Sequence, residues 1–351
     1  MNTIFGSSKL AIHIINYTDN RSLCNTCKLL SQLRKYSYYK LNREYSLLYL
    51  NNVLFQNIVL NQICDPYKQL YLYIPYANIT DINALEYVHS IEFEECTFIN
   101  VDLSAFKNVY KLNFSNCYNI TNISAFKNVH TLNLSNCNLI TDVRALEKVY
   151  KLNLSDCKNI IDFSALGDVY DLDLSRCNIT DVSALGNVHN LNLTECRFIT
   201  DVSALEYVYK LILSECELIT DVSALGNVYE LNLEGCYRIT DVSALGNVYK
   251  LNLSQCYRIT NVSALINVYK LNLSGCYRIT DVSALRNVHF LNLSYCNIID
   301  VSALGNVHDL DLSYCRNLKD VSALGNVYKL NLSGCNKITD MSALNITDII
   351  A

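Results

Sequence analysis

Apolar residues recur along this chain with a period too long for a single helix or strand. Read from Ile239, the run I-T-D-V-S-A-L-G-N-V-Y-K-L-N-L-S-Q-C-Y-R returns almost unchanged at Ile259 and again at Ile279. Self-similarity at a fixed period of about 20 residues is the pattern of stacked structural units. Within the run, Leu251 and Leu253 alternate with Asn252, which predicts a short strand with one buried face. Set side by side, such strands make a parallel sheet. Roughly ten residues are left for the return path, too few for a long helix, so the opposite side is predicted to hold 3₁₀ turns or one helical turn. Asp241 or Ser243 is placed to cap that turn. Ile239, Val242 and Leu245 point inward, and Ala244 keeps the turn close to the sheet. Each unit buries its apolar residues only against its neighbours, so stability is expected to add up along the array.

The central segment Val248-x-x-Leu251-x-Leu253-x-x-Cys256 resembles the L-x-x-L-x-L-x-x-N/C pattern of the leucine-rich-repeat family, in its cysteine-bearing form with C-x-x-I-T-D. The following D-V-S-A-L is similar to the D-I-x-x-L segment of short-repeat members. The resemblance covers residues 67–344, with an earlier degenerate unit that places Pro75 at the cysteine position. It implies an α/β solenoid, a leucine-rich-repeat arc with the parallel sheet on its concave side and 3₁₀ or short helical turns on its convex side. The arc is expected over residues 65–351, as about 14 units of about 20 residues, after a small helical module over residues 1–64. It also implies a protein–protein interaction module, with a protein partner on the concave face.

Cysteine usage bears on the compartment. Thirteen of the 16 recur, at Cys96, Cys117, Cys137, Cys157, Cys177, Cys196, Cys216, Cys236, Cys256, Cys276, Cys296, Cys315 and Cys335. One cysteine per unit is a repeat position rather than a bridge framework, and a small apolar thiol suits a buried site. Stacking brings neighbouring sulfurs close enough to bridge, so free thiols are expected from a reducing compartment rather than from geometry. Asn-Leu-Ser or Asn-Leu-Thr at Asn133, Asn153, Asn192, Asn252, Asn272, Asn292 and Asn331 would carry sugars at many rungs in the secretory pathway. Residues 1–23 lack the basic start, long apolar run and cleavage site of a secretion signal, Leu10 to Ile15 being short and broken by His13. No run of about 18 apolar residues is present to span a membrane. The expected location is intracellular, cytoplasmic or nuclear, and not secreted. With 17% charged residues and a net charge of -5, the chain lacks the clustered cations that nucleic acid requires.

Outward strand positions are the candidates for contact. Asn follows the first strand leucine at Asn113, Asn133, Asn153, Asn192, Asn232, Asn252, Asn272, Asn292 and Asn331. Ser often follows the second apolar strand residue, as at Ser115, Ser254 and Ser294. Two readings stand: polar ladders bonded from rung to rung, or a polar track for an extended ligand. His89, His130, His189, His289 and His308 share a column otherwise held by tyrosines such as Tyr110, Tyr209 and Tyr249. Only His289 and His308 are neighbours, and no carboxylate or thiolate recurs beside them at ligand spacing, so aromatic stacking is favoured over zinc.

Two columns vary on this constant frame. One precedes the first strand leucine and contains Asp171, Lys210, Glu230, Lys250, Lys270, Phe290 and Asp309; the other precedes the cysteine and contains Arg176, Glu195, Glu215, Gln255, Tyr295 and Tyr314. Asp171, Asp173, Glu195, Glu215, Glu230 and Glu234 predict an acidic centre suited to a basic partner, only partly offset by Arg176 and Lys210. Phe290, Tyr295 and Tyr314, beside Asp309 and Asp311, predict an exposed aromatic patch of the kind that anchors interfaces. Neutral surface variation is the alternative for both.

Residues 1–64 do not repeat. Thr18 or Asp19 is placed to cap a helix carrying Leu23, Cys27, Leu30 and Leu33. The run from Ile14 to Leu30 resembles the core of an F-box, with its I-L-x-x-L-D-x-x-S-L pattern and a following Cys-Lys helix, although the Leu-Pro opening of that family is absent. The resemblance implies an adaptor subunit of a cullin-type ubiquitin ligase as a second partner, held by Ile14, Ile15, Leu23, Cys27 and Leu30, with the repeats capturing the substrate. The alternative is a helical cap over the first repeat's open edge. Cys24-x-x-Cys27, with His13 and Cys64, is a weak zinc pattern, because Cys27 falls on the apolar face of the helix. At the other end Ile346, Ile349 and Ile350 are placed to fold over the last strand; an uncovered edge there would favour self-association. No glycine-rich phosphate loop, nucleophile elbow or metalloprotease motif appears, so neither an enzyme nor a cofactor is expected.

Overall fold

A computed structural model describes residues 38–41, 43–62, 69–82, 85, 88–344 and 348–350. The chain divides into two compact units, residues 1–157 and 158–351. The F-box-like residues Ile14, Ile15, Leu23, Cys27 and Leu30, and the Cys24-x-x-Cys27 pair, lie outside the described residues.

In the first unit the sheet begins earlier than residue 65. β1 (Tyr38–Lys40) pairs in parallel with β2 (Gln69–Pro75), so a strand stands inside the segment expected to be helical. Between them run α1 (Arg43–Asn51) and α2 (Val53–Gln62). The buried Tyr45 and Tyr49 of α1 lie on the core side, and the Tyr45 ring stacks at 6.1 Å on Phe55 of α2. The Ser46 hydroxyl ties α1 to the sheet by accepting the Tyr73 N–H at 2.9 Å. A small second sheet joins β3 (Asn78–Ile79) to β5 (Thr97–Phe98). The main sheet continues through β4 (Ser90–Glu94), β6 (Lys111–Asn113), β7 (Thr131–Asn133) and β8 (Lys151–Asn153), all parallel. Its core is aromatic, with Phe93, Phe98, Phe106, Phe114 and Phe126 in edge-on and stacked contacts. The β2–β4 register also corrects the degenerate unit. Pro75 pairs with Glu94, which sets Ala77, not Pro75, level with Cys96.

The second unit repeats one geometry. Its strands are β9 (Asp171–Asp173), β10 (Asn190–Asn192), β11 (Lys210–Ile212), β12 (Glu230–Asn232), β13 (Lys250–Asn252), β14 (Lys270–Asn272), β15 (Phe290–Asn292), β16 (Asp309–Asp311), β17 (Lys329–Asn331) and β18 (Asp348–Ile350). Each pairs in parallel with the next, equivalent residues facing one another, as Leu231, Leu251 and Leu271 do. The return path is a 3₁₀ turn such as Ser243–Asn247. Of the two candidate caps Asp241 is the one used, its Oδ1 accepting the Ser243 N–H at 2.8 Å. Ile239, Val242, Leu245, Val248, Leu251, Leu253 and Cys256 are buried in one rung. Apolar burial of this kind drives folding.

The repeat cysteines have a structural task. The Cys256 thiol donates to the Leu233 carbonyl at 3.1 Å, and Cys236, Cys276 and Cys296 make the same bond. Burial pushes the Cys216 and Cys236 thiols up to about 12. Rungs approach closely at the turn, where a Cβ on Gly246 would stand 2.4 Å from the Ala264 carbonyl oxygen. At the far end Ile346 lies outside the described residues, and Ile349 and Ile350 do not fold across the sheet. They form β18, with Ile349 level with Leu330 and both isoleucines exposed.

Candidate functional site

A three-residue strand puts one side chain inward and two outward. Leu251 of β13 is buried while Lys250 and Asn252 face solvent. In the second unit the outward residues form two rows on the sheet face. Two adjoining hollows open on it. One, of about 350 Å³, is lined by Lys210, Ile212, Glu230, Asn232 and Lys250; the other, of about 290 Å³, by Phe290, Asn292, Asp309, Asp311 and Lys329. Lys270 and Asn272 border both.

Charge on this face is mixed. Glu230 lies between Lys210, at 3.7 Å, and Lys250. The hydrogen bond from Lys250 is the main reason its carboxyl is held below the usual range. Lys270 makes no ion pair among the described residues. Glu195 and Glu215 leave the face altogether, since they sit in the turn after the strand. Glu195 is paired there with Arg176 at 2.8 Å and Arg197 at 3.6 Å. Asp173 and Asp311 spend an oxygen on the backbone N–H of Ser175 and Ser313. The acidic residues grouped from the sequence are therefore dispersed, and lysines punctuate the row that remains.

The expected aromatic patch divides in the same way. Phe290 stands edge-on to His289 at 4.6 Å and to Tyr269 at 5.5 Å, at the start of β15. Tyr295 and Tyr314 lie beyond the other end of the strands and stack on each other at 4.6 Å with planes 9° apart. The structure brings Tyr295 to Tyr314, and Phe290 to the Lys270 and Asp309 hollow, rather than all three together.

The column before the cysteine has a backbone role that side-chain variety concealed. Asp156, Arg176, Glu195, Glu215, Gln255, Tyr295 and Tyr314 all have φ between 57° and 61°, and Gly235, Gly275 and Gly334 between 70° and 75°. The left-handed turn lets the residue's N–H reach the next rung, as Gln255 N–H reaches the Ser274 carbonyl at 2.8 Å. Glycine and Asn136 in this column were the available signal, because these residues enter that region most readily.

The Asn column does not form the ladder expected of it. Asn252 Oδ1 accepts the Ser254 N–H two residues on, at 3.0 Å, and Asn113, Asn133, Asn153, Asn272 and Asn292 do likewise. The short side chain satisfies its own turn first, since that partner is already in place. Rung-to-rung bonds persist at a few points, such as Ser294 to Ser274 at 2.8 Å. The histidine column does stack. In the first unit His89, Tyr110, His130 and Tyr150 succeed one another at 4.4–4.9 Å. In the second unit the stack runs from Tyr170 to Tyr328, including His289 on His308 at 4.5 Å. Among the described residues no group of three or more His, Cys, Asp or Glu is placed to hold a metal, and no helix is long and apolar enough to cross a membrane.

No family model matches the sequence, and no curated protein matches it. Solved structures do. A leucine-rich-repeat protein of Leptospira interrogans is 17% identical, over 92% of this chain and 98% of that one, with a TM-score of 0.60. An internalin of Listeria monocytogenes is 19% identical, over 86% of this chain and 92% of that one, with a TM-score of 0.55. Together with the rung geometry, this likeness defines the fold: the chain is a leucine-rich-repeat solenoid.

Proposed function

We propose that the chain is a protein-interaction scaffold whose sheet face in the second unit receives the partner. The observation that carries this reading is the pair of adjoining hollows, which offer an unpaired cation at Lys270 and an aromatic edge at Phe290 on a rigid backbone. Partner contact is assigned to Lys210, Glu230, Lys250, Lys270, Phe290 and Asp309 on this face. Asp171 and Asp173 extend it, and Glu195, Glu215, Tyr295 and Tyr314 border it. Rigid, preformed surfaces that mix an aromatic anchor with charge are what protein interfaces use.

The finer reading makes the chain a substrate-recognition subunit, with residues 10–40 docking a cullin-ligase adaptor; the alternative is a free-standing scaffold. The F-box-like run Ile14–Leu30 favours the first. Affinity capture of the full chain and of a chain lacking residues 1–45, read by mass spectrometry, separates them. The adaptor reading requires an adaptor subunit in the first sample only, and loss of it in Leu23→Asp with Leu30→Asp. Recovery of the same proteins by both chains establishes the scaffold. An intracellular setting is the one both readings require, since a cullin-ligase adaptor and the buried, unbridged thiol of a rung such as Cys256, which donates to the Leu233 carbonyl, both suit a reducing compartment.

A further inference from the structure

Outside the sheet face, three successive rungs carry the same pair of residues after the cysteine: Tyr237–Arg238, Tyr257–Arg258 and Tyr277–Arg278. Their tyrosines stack, Tyr237 on Tyr257 at 5.9 Å and Tyr257 on Tyr277 at 5.3 Å, with planes 3° and 24° apart. All three arginines are exposed, and none makes an ion pair among the described residues. The nearby capping carboxylates of Asp241 and Asp281 each accept a backbone N–H from Ser243 and Ser283, and the middle rung is capped by the uncharged Asn261. Glu215 and Glu217 lie at the Tyr237 end. The result is three exposed cations on successive rungs, each next in sequence to a ring of the stack, on a chain whose net charge is -5.

We propose that this edge is a second docking surface, and that its occupant is the acidic face of an α-helix from a partner protein. The proposal does not depend on the sheet face binding anything. Charge selects an acidic partner, because three unpaired guanidiniums gain most from carboxylates, which they hold bidentately. Spacing selects a helix. The ring-to-ring steps of 5.9 and 5.3 Å are close to the helical pitch of about 5.4 Å. Acidic residues at i, i+4 and i+7 of a helix lying along the stack would meet one arginine per rung. An extended strand presents like-facing residues about 6.6–6.8 Å apart and falls out of step by the third rung. The tyrosine edges then take the aliphatic stems of the helix.

The test uses the full chain and a labelled 16-residue Ala/Gln helical peptide with Glu at positions 4, 8 and 11. The comparison peptide has the same composition with Glu at 4, 6 and 9. Fluorescence anisotropy is expected to show binding of the first peptide, weakened roughly ten-fold or more by Arg238→Ala, Arg258→Ala and Arg278→Ala together. The charge-matched variant Lys107→Ala, Lys127→Ala, Lys148→Ala should bind as the parent chain does, and circular dichroism should show both variants folded. Absence of binding, equal binding of the second peptide, or no loss in the arginine variant overturns the proposal. So does tighter binding of a 16-nucleotide thymidine oligomer, which would assign the same cations to a phosphate backbone.

Discussion

At the residue before each cysteine, backbone conformation decides more than side-chain chemistry does. An L-residue in the left-handed region is disfavoured by about 1–2 kcal/mol, and glycine is not. Gln255, exposed and at φ 60°, is therefore expected to gain about 1 kcal/mol on Gln255→Gly, read as a higher denaturant midpoint. Gly246 is the opposite case. Its φ is ordinary, but a Cβ would press on the Ala264 carbonyl oxygen at 2.4 Å, so Gly246→Ala should lower stability by roughly 1–3 kcal/mol. The buried thiols give the fold a pH dependence. Burial lifts Cys236 from 9.0 to about 12, so the folded thiol keeps a proton that the unfolded one loses. Its contribution is intact below pH 9.0 and fades as pH rises toward about 12, by about 1.4 kcal/mol per pH unit for each such thiol. Unfolding measured at several pH values in that window should show a shallower slope for Cys236→Ala than for the parent chain.

The elements are short, and what joins them is repetition across rungs rather than length. The ring stack at the strand edge is the clearest case: Tyr249 touches Tyr229 and Tyr269, each at 4.7 Å. Tyr249→Ala breaks two contacts and should lower stability by about 1–3 kcal/mol, whereas Tyr249→His should retain most of it. A urea titration of both variants distinguishes stacking from simple size. These elements were legible in the sequence wherever a column is constant, as in Leu251, Leu253, Cys256 and the Tyr/His column, because a constant residue reports a constant environment. Columns that vary were legible only in part. The left-handed turn was hidden behind Glu195, Gln255 and Tyr295, residues whose identity suggests surface chemistry. The split between Phe290 and Tyr295 was illegible for a related reason: the chain leaves the sheet after three residues, so proximity in sequence does not put them on one face. Pro75 misled because the degenerate unit has no cysteine to mark its phase, and the register sets the position level with Cys96 at Ala77, two residues later.

For the whole molecule, the proposed sheet-face interaction depends on where a repeated frame departs from repetition. The scaffold itself is uniform in the second unit, and its hollows owe their character to Lys210, Glu230, Lys250, Lys270, Phe290 and Asp309. Since each rung contacts only its neighbours, removal of one whole period, residues 239–258, should leave a cooperative fold, while removal of residues 239–248 should not. Circular dichroism with thermal melting separates the two. The most direct measurement of the interaction claim is quantitative affinity capture by the parent chain and by the variant Lys250→Glu, Lys270→Glu, Phe290→Asp. If the sheet face holds the partner, the variant remains folded and its capture of the protein bound by the parent chain falls roughly ten-fold or more. Capture undiminished in the folded variant would contradict the assignment.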